Sequence, residues 1–191
     1  MTIDPQPGDV GFATIAGMGG EVPYWGQTLL RDACRFDHVF WVVNALDDPL
    51  FPDGRIVQAM PRGAEFRPLR PRVAPGFAYA SVPLLDAQRE MVPAIATGFV
   101  VARGGRGIGY SFLSYPALAA IQWHIPIPHL KAYIANRGRL MCSQLCDEGL
   151  RRVGYHCFDD GRWNLDVTPG DLYYQLDPRV IQPAPPSVDG A

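Results

Sequence analysis

The pentapeptide Cys142-Ser143-Gln144-Leu145-Cys146 opens an apolar-periodic segment of helical spacing, and far upstream the strand-like run Asp37-His38-Val39-Phe40-Trp41-Val42-Val43 carries a histidine near its start. This pairing points to a cysteine nucleophile. A thiol at a helix N-terminus faces unpaired backbone N–H groups and the positive end of the helix dipole, which favour thiolate and predict a lowered pKa for Cys142. An imidazole presented from a strand is the usual partner, as base or as the cationic half of an ion pair.

Each residue also has a blander reading. A free cysteine is most often an inert, buried hydrophobe, and a strand histidine can simply satisfy a core hydrogen bond. Cys146 lies one turn inside the helix with less benefit from the dipole, so packing is its expected role. Cys142, Cys146, His156 and Cys157 could be offered as four zinc ligands, but a C-x₃-C followed by an adjacent His-Cys pair fits the converging spacings of zinc sites poorly. No metal and no cofactor are expected. His124 and His129 fall in a proline-broken segment, and Asp159-Asp160-Gly161 reads as a turn that lacks the remaining ligands of a calcium loop.

The elements that must position these groups follow from periodicity and breakers. Gly8 to Ala13 reads as a turn entering a short strand, Gly17 to Gly20 as a loop, and Pro23 to about Cys34 as a helix. The loop has neither the Lys-Ser/Thr ending nor the G-x-G-x-x-G spacing of a phosphate cradle. Phe36 to Asn44 is β-branched and aromatic enough for a central strand, and the turn-rich Asp47 to Gly54 joins it to Arg55–Ala59 as a long-looped hairpin. Ala64 to Leu69 and Gly76 to Val82 complete an antiparallel sheet of about five strands. Leu84 to about Arg103 reads as a helix with Pro93 in its first turns or at a kink. Further helices are expected from Pro116 towards Trp123 and from Pro128 to Asn136, ahead of the cysteine helix, which Gly154 ends. Asp171 to Leu176 reads as a last strand, and the proline-rich stretch from Asp177 as a disordered tail. The outcome is one α+β domain at 8–176, with an extension at 1–7 and a tail at 177–191.

Composition removes several function classes. With 17 basic and 19 acidic residues in 191, a net charge of −2 gives no electrostatic reason to expect nucleic acid or an anionic membrane surface. No uninterrupted apolar run is long enough to span a bilayer, so membrane insertion is not expected. The first nine residues lack the basic and apolar regions of a secretory signal, and four cysteines are too few for a disulfide-stapled scaffold. A reduced compartment is expected, either cytoplasm or a phage particle.

In order and spacing, Gly8-Asp9-Val10, Asp37-His38-Val39, Val57-Gln58-Ala59 with Gly63, Gly109-Tyr110-Ser111, Cys142-Ser143-Gln144-Leu145 and Thr168-Pro169-Gly170-Asp171-Leu172 resemble the circularly permuted NlpC/P60 families. The resemblance implies a papain-like fold in which the histidine strand comes first and the cysteine helix late. It makes Cys142 the nucleophile, His38 its proton acceptor and Gln58 the third residue, where the family commonly has an acid. An amide oxygen can hold the imidazole tautomer but cannot stabilise imidazolium with a full charge. Ser143, Tyr110 and Trp41 are candidate substrate-binding residues, although large aromatics are mostly buried structural mass. The implied activity is cleavage of an amide bond through a thioester, with a cell-wall peptide as substrate. Two alternatives stay open: a lipid- or ester-directed acyltransferase or esterase, and a catalytically silent papain-like module that binds a partner.

Overall fold

The densest run of β-branched and aromatic residues becomes a strand in which every residue is buried, and it lies near the centre of the main sheet. The computed structural model describes residues 3–14, 34–105, 107–110, 139–162 and 166–182, with the backbone alone at 103–105, 109–110 and 139. Within them lie strands β1 (Val10–Ala13), β2 (His38–Asn44), β3 (Arg55–Met60), β4 (Gly63–Pro68), β5 (Ala78–Ala80), β6 (Gly109–Tyr110), β7 (Arg139–Leu140) and β8 (Arg179–Val180). The α-helices are α1 (Asp86–Gly105), α2 (Cys142–Arg152) and α3 (Pro169–Leu176). The helices expected from Pro23, Pro116 and Pro128, the loop at Gly17 to Gly20, and His124 and His129 lie outside the described residues, apart from Cys34 at the end of the first helix.

The main sheet is antiparallel throughout, in the order β4-β3-β2-β1-β5-β8, and β6 and β7 form a separate parallel pair. The chain is therefore α+β, with six strands in place of about five. The sixth comes from residues expected in the tail: Arg179 and Val180 pair with Tyr79 and Ala78. The last strand expected at Asp171 to Leu176 is instead α3. Thr168 caps it, with its side chain accepting from the Asp171 N–H while Asp171 reaches back to the Thr168 N–H. This capping box, with Pro169 in the first turn, outweighs the strand propensity of Tyr173-Tyr174. Pro93 is the eighth residue of α1, deeper in the helix than its first turn.

Strand alternation divides the core in two. Val10, Phe12, Val39, Trp41, Val43, Val57 and Ala59 face the helices, and Ala13, Phe40, Val42, Ile56 and Tyr79 form a second cluster. α2 packs on β2 and β3, with α1 beside it. Gly107, at φ +69°, lets the Ile108 carbonyl take the Ala64 N–H at 2.8 Å, and a Cβ there would stand 2.7 Å from the Ala64 carbonyl oxygen. That contact pins the start of β4. Among the described residues no helix is long and apolar enough to cross a membrane.

Asp9 ties the entry of β1 to α1. Its carboxylate accepts from the Gln6 and Val82 N–H groups and from Arg89, whose guanidinium also donates to the carbonyls of Pro7 and Val82. Asp9 is 3% exposed, so its removal leaves buried donors without an acceptor. Asp9→Ala is expected to lower stability by about 1.5–3 kcal/mol, read as a lower urea midpoint at unchanged slope.

Candidate functional site

Cys142 is the first residue of α2, with Met141 as N-cap and the Gln144 side-chain oxygen accepting the Met141 N–H at 2.9 Å. The backbone N–H groups of Cys142, Ser143 and Val39 all bear on its sulfur. The Val39 contribution comes from β2. The Val42 N–H donates to Asp9, so the even-numbered N–H groups of β2 turn towards β1 and the odd-numbered ones towards β3. Pairing of β2 with β3 is seen from Trp41↔Val57 onward, and the Val39 N–H, ahead of that pairing, lowers the Cys142 thiol pKa. Cys142 thus sits where the two strands part, one residue along β2 from His38.

His38 and Gln58 meet directly. His38 Nε2 lies 3.2 Å from Gln58 Oε1, and both residues are 5% exposed. By parity they share the sheet face of Phe40, Val42 and Ile56, while Cys142 belongs to the cluster under α2. The thiol and the imidazole therefore approach the edge of β2 from opposite faces, and no hydrogen bond joins them among the described residues.

The expected low thiol pKa is not what the structure holds. Burial pushes the Cys142 thiol up to about 11 against the three N–H groups, with Asp37 adding to the rise. The magnitudes explain the sign: a helix terminus contributes about 0.3–1 kcal/mol, under one pKa unit, whereas full burial can shift a group by roughly 3–5 units. Burial likewise pushes His38 down to about 4; the Gln58 hydrogen bond and Glu65 oppose this, and Arg72 adds to it. At neutral pH the pair is a neutral thiol and a neutral imidazole, not a preformed ion pair.

The other candidates separate clearly. Ser143 is fully buried and its hydroxyl donates to the Val167 carbonyl at 2.7 Å, fastening α2 to the segment before α3. Trp41 is fully buried with Nε1 donating to the Gly8 carbonyl at 3.0 Å. Neither is placed to line a cleft, because each polar atom is already engaged inside the protein. Tyr110 lies in β6, where only the backbone is described. Cys146 is fully buried and its thiol is raised well above the ordinary value, chiefly by burial, in keeping with a packing role. Among the described residues no three His, Cys, Asp or Glu side chains converge as a metal site.

One neighbour of the site was not anticipated. Glu65 Oε1 accepts from Gln58 Nε2 at 3.0 Å and from Arg67 Nε at 2.8 Å, and Arg67 also donates to Oε2 at 3.1 Å. The signal lay in the hairpin: Met60↔Gly63 closes around two residues, and that register sets Glu65 opposite Gln58.

A buried acid lies farther along α2. Asp147 is 2% exposed, and burial pushes its carboxyl up to about 6 against Arg151, Cys157 and His156, with Glu148 adding to the rise. An acid whose folded pKa lies above its unfolded value contributes stability at low pH that is lost as pH rises, here between about 4 and about 6. Asp147→Asn is expected to be more stable than the parent at pH 7 by on the order of 1–3 kcal/mol and to lose that advantage near pH 4. Urea titrations at the two pH values check it. Buried His38 has the opposite sign: its contribution is present above about 6.5 and lost as pH falls towards about 4.

Neither a scan against protein-family models nor a search of curated proteins returns a match for this chain.

Proposed function

We propose that the chain is a papain-like cysteine hydrolase of permuted NlpC/P60 order that cleaves an amide bond through a thioester, with a cell-wall peptide as the substrate class. The observation that carries the reading is Cys142 at the first position of α2, with three backbone N–H groups favouring its thiolate, one residue along β2 from a histidine that Gln58 holds on the opposite sheet face. The substrate class rests on the resemblance in order and spacing.

In the proposed reaction the start of β2 must first turn to bring the His38 imidazole round from the opposite sheet face to the sulfur, where it takes the thiol proton as the S–C bond forms, so thiolate is generated during attack. Backbone N–H groups at the start of α2 receive the oxyanion, and removing one such donor typically costs about 2.7–4 kcal/mol of barrier. The imidazolium then protonates the leaving amine as the C–N bond breaks. Water, deprotonated by His38, opens the thioester and restores the thiol.

Incubation with stem-peptide amides and with acyl esters, followed by intact-mass and peptide mapping, tests this. A thioester adduct on Cys142 with turnover of the amides is the expected result. Turnover of esters alone would transfer the reading to the lipid- or ester-directed class. No adduct and no turnover with either would leave the silent binding module, a reading that the raised thiol and depressed imidazole pKa values favour.

A further inference from the structure

We infer that Glu65 is a positioning residue for His38, supplying from β4, through the Gln58 amide, the orienting carboxylate that position 58 lacks. The inference deepens the hydrolase reading and rests on it for its consequence in the reaction. Its structural half rests on the hydrogen-bond chain alone.

The chain has only one consistent direction. Both Glu65 oxygens face Arg67 donors, and although burial works the other way, the Arg67 and Gln58 hydrogen bonds keep this carboxyl below its ordinary value. An ionised carboxylate can only accept, so the Gln58 atom 3.0 Å away must be the NH₂ donor. The Gln58 oxygen is then the atom turned to His38, 3.2 Å from Nε2. An amide oxygen can only accept, so Nε2 carries the proton and Nδ1 holds the free lone pair. Nδ1 is the one nitrogen left to take the thiol proton. Without Glu65, the Gln58 amide could turn over and present NH₂ to the ring, moving the proton to Nδ1 and blocking the base. The register Gln58↔Glu65 makes this geometry a property of the β3–β4 hairpin.

The test is a long-range proton–nitrogen correlation of the histidine rings in the full-length ¹⁵N-labelled protein at pH 7, with the His38 signals assigned by their loss in His38→Gln. The native chain is expected to show a single Nε2–H tautomer for His38. Glu65→Ala should shift it to a mixture of tautomers, and Glu65→Gln, whose amide oxygen can still accept from Gln58, should restore the native pattern. With a turned-over substrate, Glu65→Ala should lower kcat by roughly tenfold to a hundredfold, by analogy with the loss of a hydrogen-bond partner behind a metal-binding imidazole. An Nδ1–H tautomer in the native chain, or a native tautomer in folded Glu65→Ala, would overturn the inference. The native spectrum alone decides the direction of the chain should Glu65→Ala fail to fold. Because the spectra need no substrate, a correct tautomer without turnover sinks the hydrolase reading and leaves the positioning intact, whereas turnover with an unaffected tautomer does the reverse.

Discussion

On the proposed hydrolase mechanism, Cys142→Ala is expected to abolish amide hydrolysis, with a loss of about a millionfold where the native rate allows it to be measured, because the covalent intermediate forms on its sulfur. His38→Ala should cost roughly 10²–10⁴, the contribution of one positioned general base. Both variants should fold, since the cysteine removes one sulfur from the start of α2 and the histidine sits at the first residue of β2. The pH profile follows from the two shifted groups. A preformed ion pair would give activity bounded on the acid side by thiol ionisation, but here the thiol lies at about 11 and the imidazole at about 4. The competent resting form is therefore neutral on both residues, and kcat/KM should hold a broad plateau across neutral pH. It should fall only as His38 gains a proton near pH 4, where the base is lost. An acid limb centred above pH 6 would contradict the neutral pair and require a partly solvated imidazole. Initial rates across a pH series, with circular dichroism to exclude acid unfolding, make the distinction.

Much of the frame could be read from the chain because local signals agreed there. The β-branched and aromatic run at 38–44, the helix opened by Cys142 and the long helix after Leu84 each had a composition, a period or a breaker that tertiary structure did not override. Where a stronger local device competed, the reading failed: Tyr173-Tyr174 looked like strand, yet Thr168-Pro169-Gly170-Asp171 is a capping box with proline in the first turn. Arg179 and Val180 had proline-rich neighbours and became a strand only because β5 offered a free edge. The arrangement of the candidate site was legible in part. Residue types and order named Cys142, His38 and Gln58, and His38 does meet Gln58. The direction of the thiol pKa was not legible, since helix position is visible in sequence while complete burial is a property of the folded whole. The burial of Ser143 was not legible for the same reason, and the polar atoms of Ser143 and Trp41 find partners at Val167 and Gly8, distant in the chain. Glu65 was accessible in principle, through the two-residue hairpin register, but only once β3 and β4 were recognised as neighbours.

Trp41→Ala should be among the most destabilising single changes in the described fold, at about 3–5 kcal/mol, the range for truncating a buried large aromatic. Trp41 is fully buried, and its Nε1 donates to Gly8, so truncation both opens a cavity and strands a carbonyl at the entry of β1. The indole is also the surface on which α2 rests. Gly149 lies against it so closely that a Cβ would stand 2.7 Å from Cζ3, which means that helix and strand are spaced by the ring itself. Losing the ring lets the later turns of α2 settle inwards and tilts its first turn, where Cys142 meets Val39. Stability and site geometry should therefore fail together. A drop in urea midpoint of the stated size with an unchanged slope, accompanied by faster alkylation of Cys142 under native conditions, is the expected pair of results. Alkylation should rise because a tilted first turn admits solvent to a thiol whose high pKa is set by its burial. A variant that loses stability but keeps native protection of Cys142 would show that α2 is held at its N-terminus by the Ser143–Val167 and Met141–Gln144 hydrogen bonds alone, independently of the ring beneath it.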